Sequence, residues 1–442
     1  MSSWQDLVTT ALLGTERSTV PAVLTPDGPA AGRPGDPAAV LLDRAALLTA
    51  ARRGGRQPGR VEPLAAAGAE TGPVVSRAAG RRLARMLGGD HADLLAEWLV
   101  VAAGHGRRVP AQLLPVLLHQ ARRRPPADFE VQRLVAVTGG ARARWLAGLN
   151  PEWKFVLAYA PAGEDAWRLG DAGQRHGYLA ALRARDPDGA RQLAEASWDA
   201  AGPGERVMFL GVLADGLSLA DEPLLDRALD DRHAVVRQAA AGLLATLPGS
   251  ALAGRMAGRA RECLYLQLGL DGDGLLVSPP LDGDTATRRD GIAPAADGRT
   301  SPQASRRLLL LEVIARTPLR TWTDTFGRRP AEILGLSSDF WTPVLFTGWA
   351  RAAVSQRDHE WMAALVRMAL AGGGPDWLLA AGGPAAAAGE ALRQLARHVE
   401  PALAWPGPAP HAPAAPAVRQ AIDTLRFRYQ MLKELDDDNG AG

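Results

Sequence analysis

The sequence predicts an all-α protein whose helices stack into an elongated array. Hydrophobic residues make up 47% of the 442 residues, yet aromatic residues make up only 5%, so the apolar content is mostly Ala, Leu and Val. That composition favours close-packed helices over sheets. Between residues 171 and 247, helix-breaking residues recur about every 15 residues, so a helix pair has roughly the length of one solenoid repeat.

The N-terminal third is predicted to contain a short helix, an irregular arm and a set of further helices. An amphipathic helix runs from Trp4 to Leu13 and ends at Gly14, and the prolines and glycines that follow, up to residue 37, predict the arm. Apolar periodicity then predicts five helices separated by Gly, Pro or Arg-rich breaks. They cover residues 38–52, 75–87, 90–103, 110–122 and 128–148.

The clearest repeat unit runs from Asp221 to Leu247. An apolar helix stripe precedes the Asp230-Asp231 turn, and a broader apolar face follows it. The unit resembles a HEAT repeat in the placing of Asp231 in the turn and of Arg237 early in the second helix. An aspartate there can cap a helix start, while an arginine from a neighbouring repeat reaches its carboxylate. Asp231 and Arg237 are therefore predicted to be structural residues of a HEAT-like α-solenoid.

After Cys263 the pattern changes. A Gly- and Asp-rich turn, a short extended segment and a polar stretch predict an irregular insertion at residues 270–303 rather than a repeat. Helices are predicted to resume at 304–314 and 330–370. The prolines between 405 and 416 predict an extended tether.

The last helix, from 417 to about 435, carries a short apolar seam formed by Ile422, Leu425, Tyr429 and Leu432. The seam is too short for a stable coiled coil, so docking onto a groove is expected. The helix either folds back on the array or is offered to a partner. Folding back is favoured, because an uncovered seam would promote aggregation.

These elements divide the chain into seven segments, which differ in helix content and in the density of Gly and Pro. They are 1–37 (helix and arm), 38–150 (N-terminal helical region), 151–262 (HEAT-like helical repeats), 263–303 (insertion), 304–404 (C-terminal helical region), 405–416 (tether) and 417–442 (amphipathic helix and acidic tail).

Charge and cysteine content narrow the range of functions. The 50 basic residues nearly cancel the 48 acidic ones, and a net charge of +2 is not typical of a nucleic-acid-binding protein. The single cysteine, Cys263, excludes an intramolecular disulfide framework and fits a reducing compartment. Met1 to Leu13 has no secretory signal pattern, and no apolar run is long enough to cross a membrane. A cytoplasmic location is therefore expected.

No residue pattern typical of an enzyme is found. Walker A and dinucleotide fingerprints are missing, and the eight histidines do not fall at metal-ligand spacing. Asp271-Gly272-Asp273-Gly274 resembles the beginning of a calcium loop, but prolines stand just before its twelfth position, so a Gly/Asp turn is the better interpretation. The sequence predicts no catalytic, cofactor-binding or metal-binding residue.

Two further features are candidates for partner binding. Arg122-Arg123-Arg124 could form a basic patch, although such clusters are usually solvated helix ends. The chain also has twelve tryptophans, which more often fill gaps between helices than anchor a partner peptide. Those in or beside the repeat region are Trp145, Trp153, Trp167 and Trp198.

Several motifs together resemble an actinobacterial family of unknown function, DUF5691. They are Trp4-Gln5-Asp6-Leu7, Ala11 to Arg17, Pro151-Glu152-Trp153 and Asp221 to Ser250. The resemblance covers most of the chain and assigns no catalytic residue. It implies genes encoded beside a MoxR-type AAA+ ATPase, a von Willebrand factor A protein and a SWIM zinc-finger protein, and hence an adaptor near an ATPase complex.

The function expected from these observations is that of a non-enzymatic, protein-binding scaffold or adaptor. The alternative is a HEAT-like nucleic-acid-binding protein such as a DNA glycosylase, which needs arginines clustered around one aspartate and several aromatic residues. Near-neutral charge favours the adaptor. A structural subunit of an ATPase assembly would differ from the adaptor only in having a permanent interface.

Overall fold

A computed structural model describes the chain in fourteen stretches. They are residues 4–21, 24–25, 28–29, 36–54, 64–123, 129–159, 163–269, 272–281, 285–292, 301–336, 340–371, 375–379, 383–401 and 415–437. Within them the protein is predominantly helical, with two short antiparallel strand pairs. The all-α class is thereby confirmed. Most of the predicted tether, Arg124 and the end of the acidic tail lie outside the described residues.

The chain forms two compact units, residues 1–66 and 67–442. In the first unit, helix α1 (Trp4–Leu13) contacts helix α2 (Pro37–Gly54). The predicted arm contains strands β1 (Leu24–Thr25) and β2 (Gly28–Pro29), which pair with each other. Gly14 ends α1 with a positive φ of 86°, as its predicted role at the helix end requires.

The second unit contains the remaining helices and strands. Its first half has α3 (Arg77–Leu87), α4 (Leu95–Gly104), α5 (Leu114–Arg122), α6 (Phe129–Leu149), α7 (Asp165–Arg168), α8 (Ala172–Arg185), α9 (Pro187–Ser197), α10 (Pro203–Leu213), α11 (Glu222–Ala228), α12 (Ala234–Ala245) and α13 (Ala251–Arg261). Its second half has β3 (Leu264–Gln267), β4 (Gly274–Val277), α14 (Thr285–Arg289), α15 (Pro302–Arg316), α16 (Arg320–Phe326), α17 (Pro330–Leu334), α18 (Thr342–Gln356), α19 (His359–Leu370), α20 (Asp376–Leu379), α21 (Gly383–His398) and α22 (Pro416–Asp437).

Side-chain caps fix several helix starts. Asp186 is the N-cap of α9, with Pro187 at the first helical position, and it accepts a hydrogen bond from the backbone N–H of Gly189 at 2.9 Å. Asp171 forms a capping box with Gln174 at the start of α8. Each such cap satisfies an otherwise unpaired N–H and contributes about 1 kcal/mol.

Some predicted boundaries are wrong. The helices expected at 90–103 and 110–122 each begin with a short 3-10 turn, whereas the helices expected within 330–370 are present as α17, α18 and α19. In the 270–303 segment the predicted short extended stretch is present as β4, which pairs with β3 as a hairpin. The described residues of the segment also include the short helix α14, which was not predicted.

Helix α6 is kinked where the sequence predicts a continuous helix. Gly140 has φ 63° and ψ −151°, a conformation that favours glycine. The carboxylate of Glu70 accepts hydrogen bonds from the N–H groups of Ala141 and Arg142, at 2.8 and 2.9 Å, and so caps the second half of the helix. The kink therefore depends on Glu70, which lies 71 positions before Ala141 in the sequence.

The helices of the second unit contact one another in a closed circuit. Successive contacts run from α8 through α10, α12, α13, α15, α18 and α21 to α22. Helix α22 in turn contacts α3 and α4, while α4 packs on α6 and the 3-10 segment Pro151–Tyr159 leads back to α8. Two hydrophobic cores lie along this circuit, and α22 contributes residues to both of them.

Buried Arg–Asp pairs link helices of the second unit. Arg183 of α8 binds Asp221, and Arg206 of α10 binds Asp231 at 2.6 Å. Asp231 also accepts a hydrogen bond from the N–H of His233, which starts α12. Arg237 donates instead to the carbonyl oxygen of Asp231 and closes its own turn. An arginine from an earlier helix thus reaches the turn aspartate.

Gly348 permits close packing of α15 against α18. A Cβ atom at this position would lie 2.6 Å from Cγ2 of Ile314 and 2.8 Å from its Cβ. We expect Gly348→Ala to lower the free energy of unfolding by about 1–3 kcal/mol, because the core is overpacked. Chemical denaturation measures the change.

Gly242 provides the control for that substitution. It is an exposed glycine inside α12, and a Cβ added to it meets no atom within 4 Å. Gly242→Ala should raise the free energy of unfolding by about 0.5–1 kcal/mol, because alanine is the better helix former. If Gly348→Ala and Gly242→Ala changed the free energy of unfolding equally and with the same sign, α15 and α18 would not pack as closely as the structure shows.

Candidate functional site

An apolar groove lies between α6, α8 and α10 in the second unit. Its volume is about 750 Å³. Its floor is formed by Met208 and Val212 of α10, both buried, and Phe129 and His176 contribute aromatic rings. We call this cavity the α8–α10 groove.

Small residues on two helices leave the groove open. Helix α8 presents Ala172 and Ala180 one turn before and one turn after His176, and α10 presents Gly204 and Gly211. A Cβ atom at either glycine would meet no atom within 4 Å. Glycine in a helix interior lowers helix stability, but Gly242 is an open helical glycine outside the groove, so Gly211 alone could not have indicated this site.

His176 is held between aromatic rings. Its imidazole stacks on the ring of Phe129 with centroids 4.6 Å apart, and the ring of Tyr159 approaches it edge-on at 6.1 Å. Burial lowers the pKa of His176 to about 4, and Arg133 adds to this while Glu130 opposes it. The imidazole is therefore neutral at pH 7. Its Nδ1 atom has no hydrogen-bond partner among the described residues.

The ionised side chains that line the groove are all acidic. Glu130 forms an ion pair with Arg133 and Glu205 forms one with Arg175, each at 2.6 Å. The carboxylate of Asp215 makes no hydrogen bond or ion pair with any residue that the structure describes. Burial and the negative charge of Glu130 raise its pKa above the ordinary value. The groove thus has an unneutralised negative charge at its rim.

The reactive side chains among the lining residues are three carboxylates and one imidazole, those of Glu130, Glu205, Asp215 and His176. They include no hydroxyl, thiol or amine side chain. In addition, no group of three or more His, Cys, Asp or Glu residues within the described stretches is arranged to hold a metal ion. Cys263 is buried, and burial raises its thiol pKa to about 11, which makes it a poor nucleophile.

Arg122 does not line this groove but lines a neighbouring cavity, which shares Phe129 and Ala172 with it. Arg122 and Arg123 are exposed at the end of α5, and Arg122 forms an ion pair with Glu152 at 3.2 Å. Arg124 is outside the described residues. The two that are described occupy a solvated helix end.

The seam of α22 is largely covered by the protein itself. Ile422 and Leu425 are buried in one core, and Leu432 packs against the other. Only Tyr429 is substantially exposed, at 49%. Ile422 and Leu425 are thus core residues and cannot contact a partner in this conformation, so the alternative in which they are offered to a partner is wrong for these two residues. The physical reason is that α3, α4 and α21 pack against this helix.

Tryptophans mostly occupy the interior. Among the described residues, five tryptophans are buried and fill space between helices, and Trp145, Trp153 and Trp167 are partly buried. The buried ones are Trp98, Trp198, Trp322, Trp349 and Trp361.

A family described as a family of unknown function, DUF5691, matches residues 6–383. The chain belongs to the DUF5691 family. No curated protein and no solved structure matches it significantly. In this DUF5691 protein the α8–α10 groove lies within the matched residues, whereas α22 follows them. None of the helices that the structure describes is long and apolar enough to cross a membrane.

Proposed function

We propose that this DUF5691 protein is a non-enzymatic, cytoplasmic adaptor that binds a segment of another protein in the α8–α10 groove. The observation that carries the proposal is the groove itself, an open cavity of about 750 Å³ with a buried apolar floor. Open apolar surface of this kind is a common feature of protein-binding sites. The partner we propose is the MoxR-type AAA+ ATPase or the von Willebrand factor A protein that the family resemblance implies.

A HEAT-like arrangement of α8 to α13 is part of the same proposal. Alternate helices, α8, α10 and α12, contact one another, as helices of one layer of a solenoid do. The pairs Arg183–Asp221 and Arg206–Asp231 each join a helix to a later turn. Such a stack would hold the walls of the groove at a fixed spacing.

The DNA glycosylase alternative has less support. Asp221, Asp231 and Asp290 are buried aspartates, and each accepts hydrogen bonds from arginine side chains rather than facing a cavity with a free carboxylate. The charged residues that line the α8–α10 groove are acidic and would repel DNA phosphates.

Filling the groove tests the adaptor proposal. In Gly211→Trp the indole would enter the α8–α10 groove from a position with open space around its Cβ, so the fold should be retained. We expect partner binding to weaken at least about tenfold, or ~1.4 kcal/mol. Affinity capture from the native host, quantified by mass spectrometry, would identify the lost protein, and titration with that purified protein would give the affinity.

Gly242→Trp is the matched control, because it adds the same side chain to an exposed helical glycine of α12 outside the groove. It should bind partners as the unaltered protein does. Melting temperatures of both variants would verify their folding. A Gly211→Trp protein that keeps its fold and every partner would show that the groove is not the binding site.

A further inference from the structure

The charge of the α8–α10 groove points to the chemistry of its occupant. We infer that the groove binds an amphipathic helix of a partner protein that carries an arginine or lysine beside its apolar face, with the cation placed between Asp215 and Glu130. This inference rests on the proposed function and specifies what the groove accepts.

The cation is inferred from the balance of charge at the rim. Three carboxylates line the groove, those of Glu130, Glu205 and Asp215, and no basic side chain lines it. Arg133 and Arg175 each neutralise one carboxylate through an ion pair, so the charge of Asp215 is left over. The positive charges of Arg133, Arg357 and Arg183 also act on Asp215, but burial and Glu130 outweigh them. A basic side chain of a partner would relieve this repulsion.

The apolar part of the occupant is inferred from the floor and walls. Met208 and Val212 are 6% and 3% exposed, and they form a floor suited to aliphatic side chains. Methionine adapts its shape to different partners. The ring of Phe129, already stacked on His176, offers an aromatic surface beside the carboxylates. A long basic side chain can lie with its methylene groups along such a surface and its charge at the rim.

A helical occupant fits better than an extended one. The groove walls are helices, whose backbone N–H and C=O groups are already paired within each helix. An extended segment would leave its own backbone groups without partners there, whereas a helix satisfies them internally. Gly204 and Asp215 are eleven residues apart, so the groove runs for roughly 16 Å along α10 and its continuation, about three turns of a bound helix.

Designed peptides test the inference with the full-length protein. The probe is a labelled peptide of about 14 residues, or four turns, with leucines on one face, alanine and glutamine elsewhere, and one central arginine at the edge of the leucine face. A second peptide has glutamate in place of that arginine. We expect fluorescence anisotropy to show at least about tenfold tighter binding of the arginine peptide, with a preference that falls as salt is added.

Variants of the groove connect the peptide to Asp215. Asp215→Asn should reduce the preference for the arginine peptide severalfold, and Asp215→Lys should reverse it in favour of the glutamate peptide. Gly211→Trp should abolish binding of both peptides, and Gly242→Trp should leave binding unchanged. If Asp215 had only a structural role, Asp215→Lys would not reverse the preference between the two peptides.

Three results would overturn the inference: equal affinity for the two peptides, no effect of Asp215→Lys on the preference, or no binding of either peptide. If Gly211→Trp nevertheless loses its cellular partner, the adaptor function stands and only the inferred occupant is wrong. If Gly211→Trp keeps its fold and every partner, the proposal that this groove binds a partner protein fails as well.

Discussion

Replacing Asp221 with alanine is expected to lower the free energy of unfolding by about 3–5 kcal/mol. Asp221 is fully buried and accepts hydrogen bonds from two nitrogens of Arg183 at 2.7 and 2.9 Å. Arg183 is itself only 3% exposed. Removing the carboxylate leaves the buried guanidinium group with hydrogen bonds to carbonyl oxygens only, and a buried charge without its ion-pair partner is costly in the core. Urea denaturation measures the loss.

The control is the exposed pair of Asp199 and Arg227, whose side chains are 85% and 50% exposed. Asp199→Ala should change stability by less than about 1 kcal/mol, because water screens the pair. Comparable losses in Asp221→Ala and Asp199→Ala would show that the buried pair is not specially coupled to the fold.

The same pair makes part of the stability depend on pH. Burial opposes ionisation of Asp221, but hydrogen bonds from Arg183 and Ser218 outweigh it, so the pKa of Asp221 lies below its ordinary value. A carboxylate with a lowered folded-state pKa contributes stability above its unfolded pKa of about 3.9 and loses it as the pH falls through the folded value. The loss of stability on acidification should therefore be smaller in Asp221→Ala than in the unaltered protein.

Ending the chain before Pro416 is expected to abolish cooperative unfolding of the second unit. Helix α22 buries four apolar residues in one core and three in the other. They are Val418, Ala421, Ile422 and Leu425, and Phe427, Met431 and Leu435. At about 1.5–3 kcal/mol for each large side chain, their loss is on the order of 10 kcal/mol, similar to the whole stability of a typical domain.

Charged contacts add to the effect of removing α22. Arg428 is 4% exposed and donates to both carboxylate oxygens of Glu97 and to the carbonyl oxygen of Ala396. Arg82 makes a two-nitrogen contact with Glu434. Truncation would leave both Arg82 and Glu97 without these partners.

Point substitutions separate the role of α22 from a general effect of shortening the chain. Leu425→Ala should cost about 2–5 kcal/mol, because it leaves a cavity in a closely packed core. Asp423→Ala, at an exposed position of the same helix, should cost less than about 0.5 kcal/mol. Calorimetry would give the melting temperatures of the truncated protein, Leu425→Ala and Asp423→Ala for comparison. A truncated protein with an unchanged melting temperature would mean that the helix is dispensable.

Features that depend on neighbouring residues could be predicted from the sequence, and features that depend on distant ones could not. The helix at Trp4–Leu13 and the Asp186-Pro187 helix start follow from local caps and periodicity, and the structure has both. The kink at Gly140 needs Glu70, which no local pattern connects to it. The α8–α10 groove exists only because two helices with small residues face each other, so it required the tertiary structure.

The apolar seam of α22 was predictable from the sequence only in part. Its apolar spacing correctly indicated that the helix face must be covered, and folding back was the favoured outcome. The sequence could not show which helices cover it, because Arg82 and Glu434 are 352 positions apart. Arg428 could not be identified as a buried residue from the sequence, because the burial of an arginine depends on distant residues that contact it and not on the spacing of apolar residues along the helix.

The closed circuit of helix contacts also determines the order in which the protein can mature on the ribosome. Helices α3 and α4 emerge early, but α22, the last of the described helices to be made, is the one that covers them. About 300 residues separate α4 from α22, so at ~5–20 residues per second the uncovered faces wait on the order of 15–60 s. During synthesis the nascent chain therefore carries two incomplete cores, and their apolar helix faces stay exposed until α22 is made.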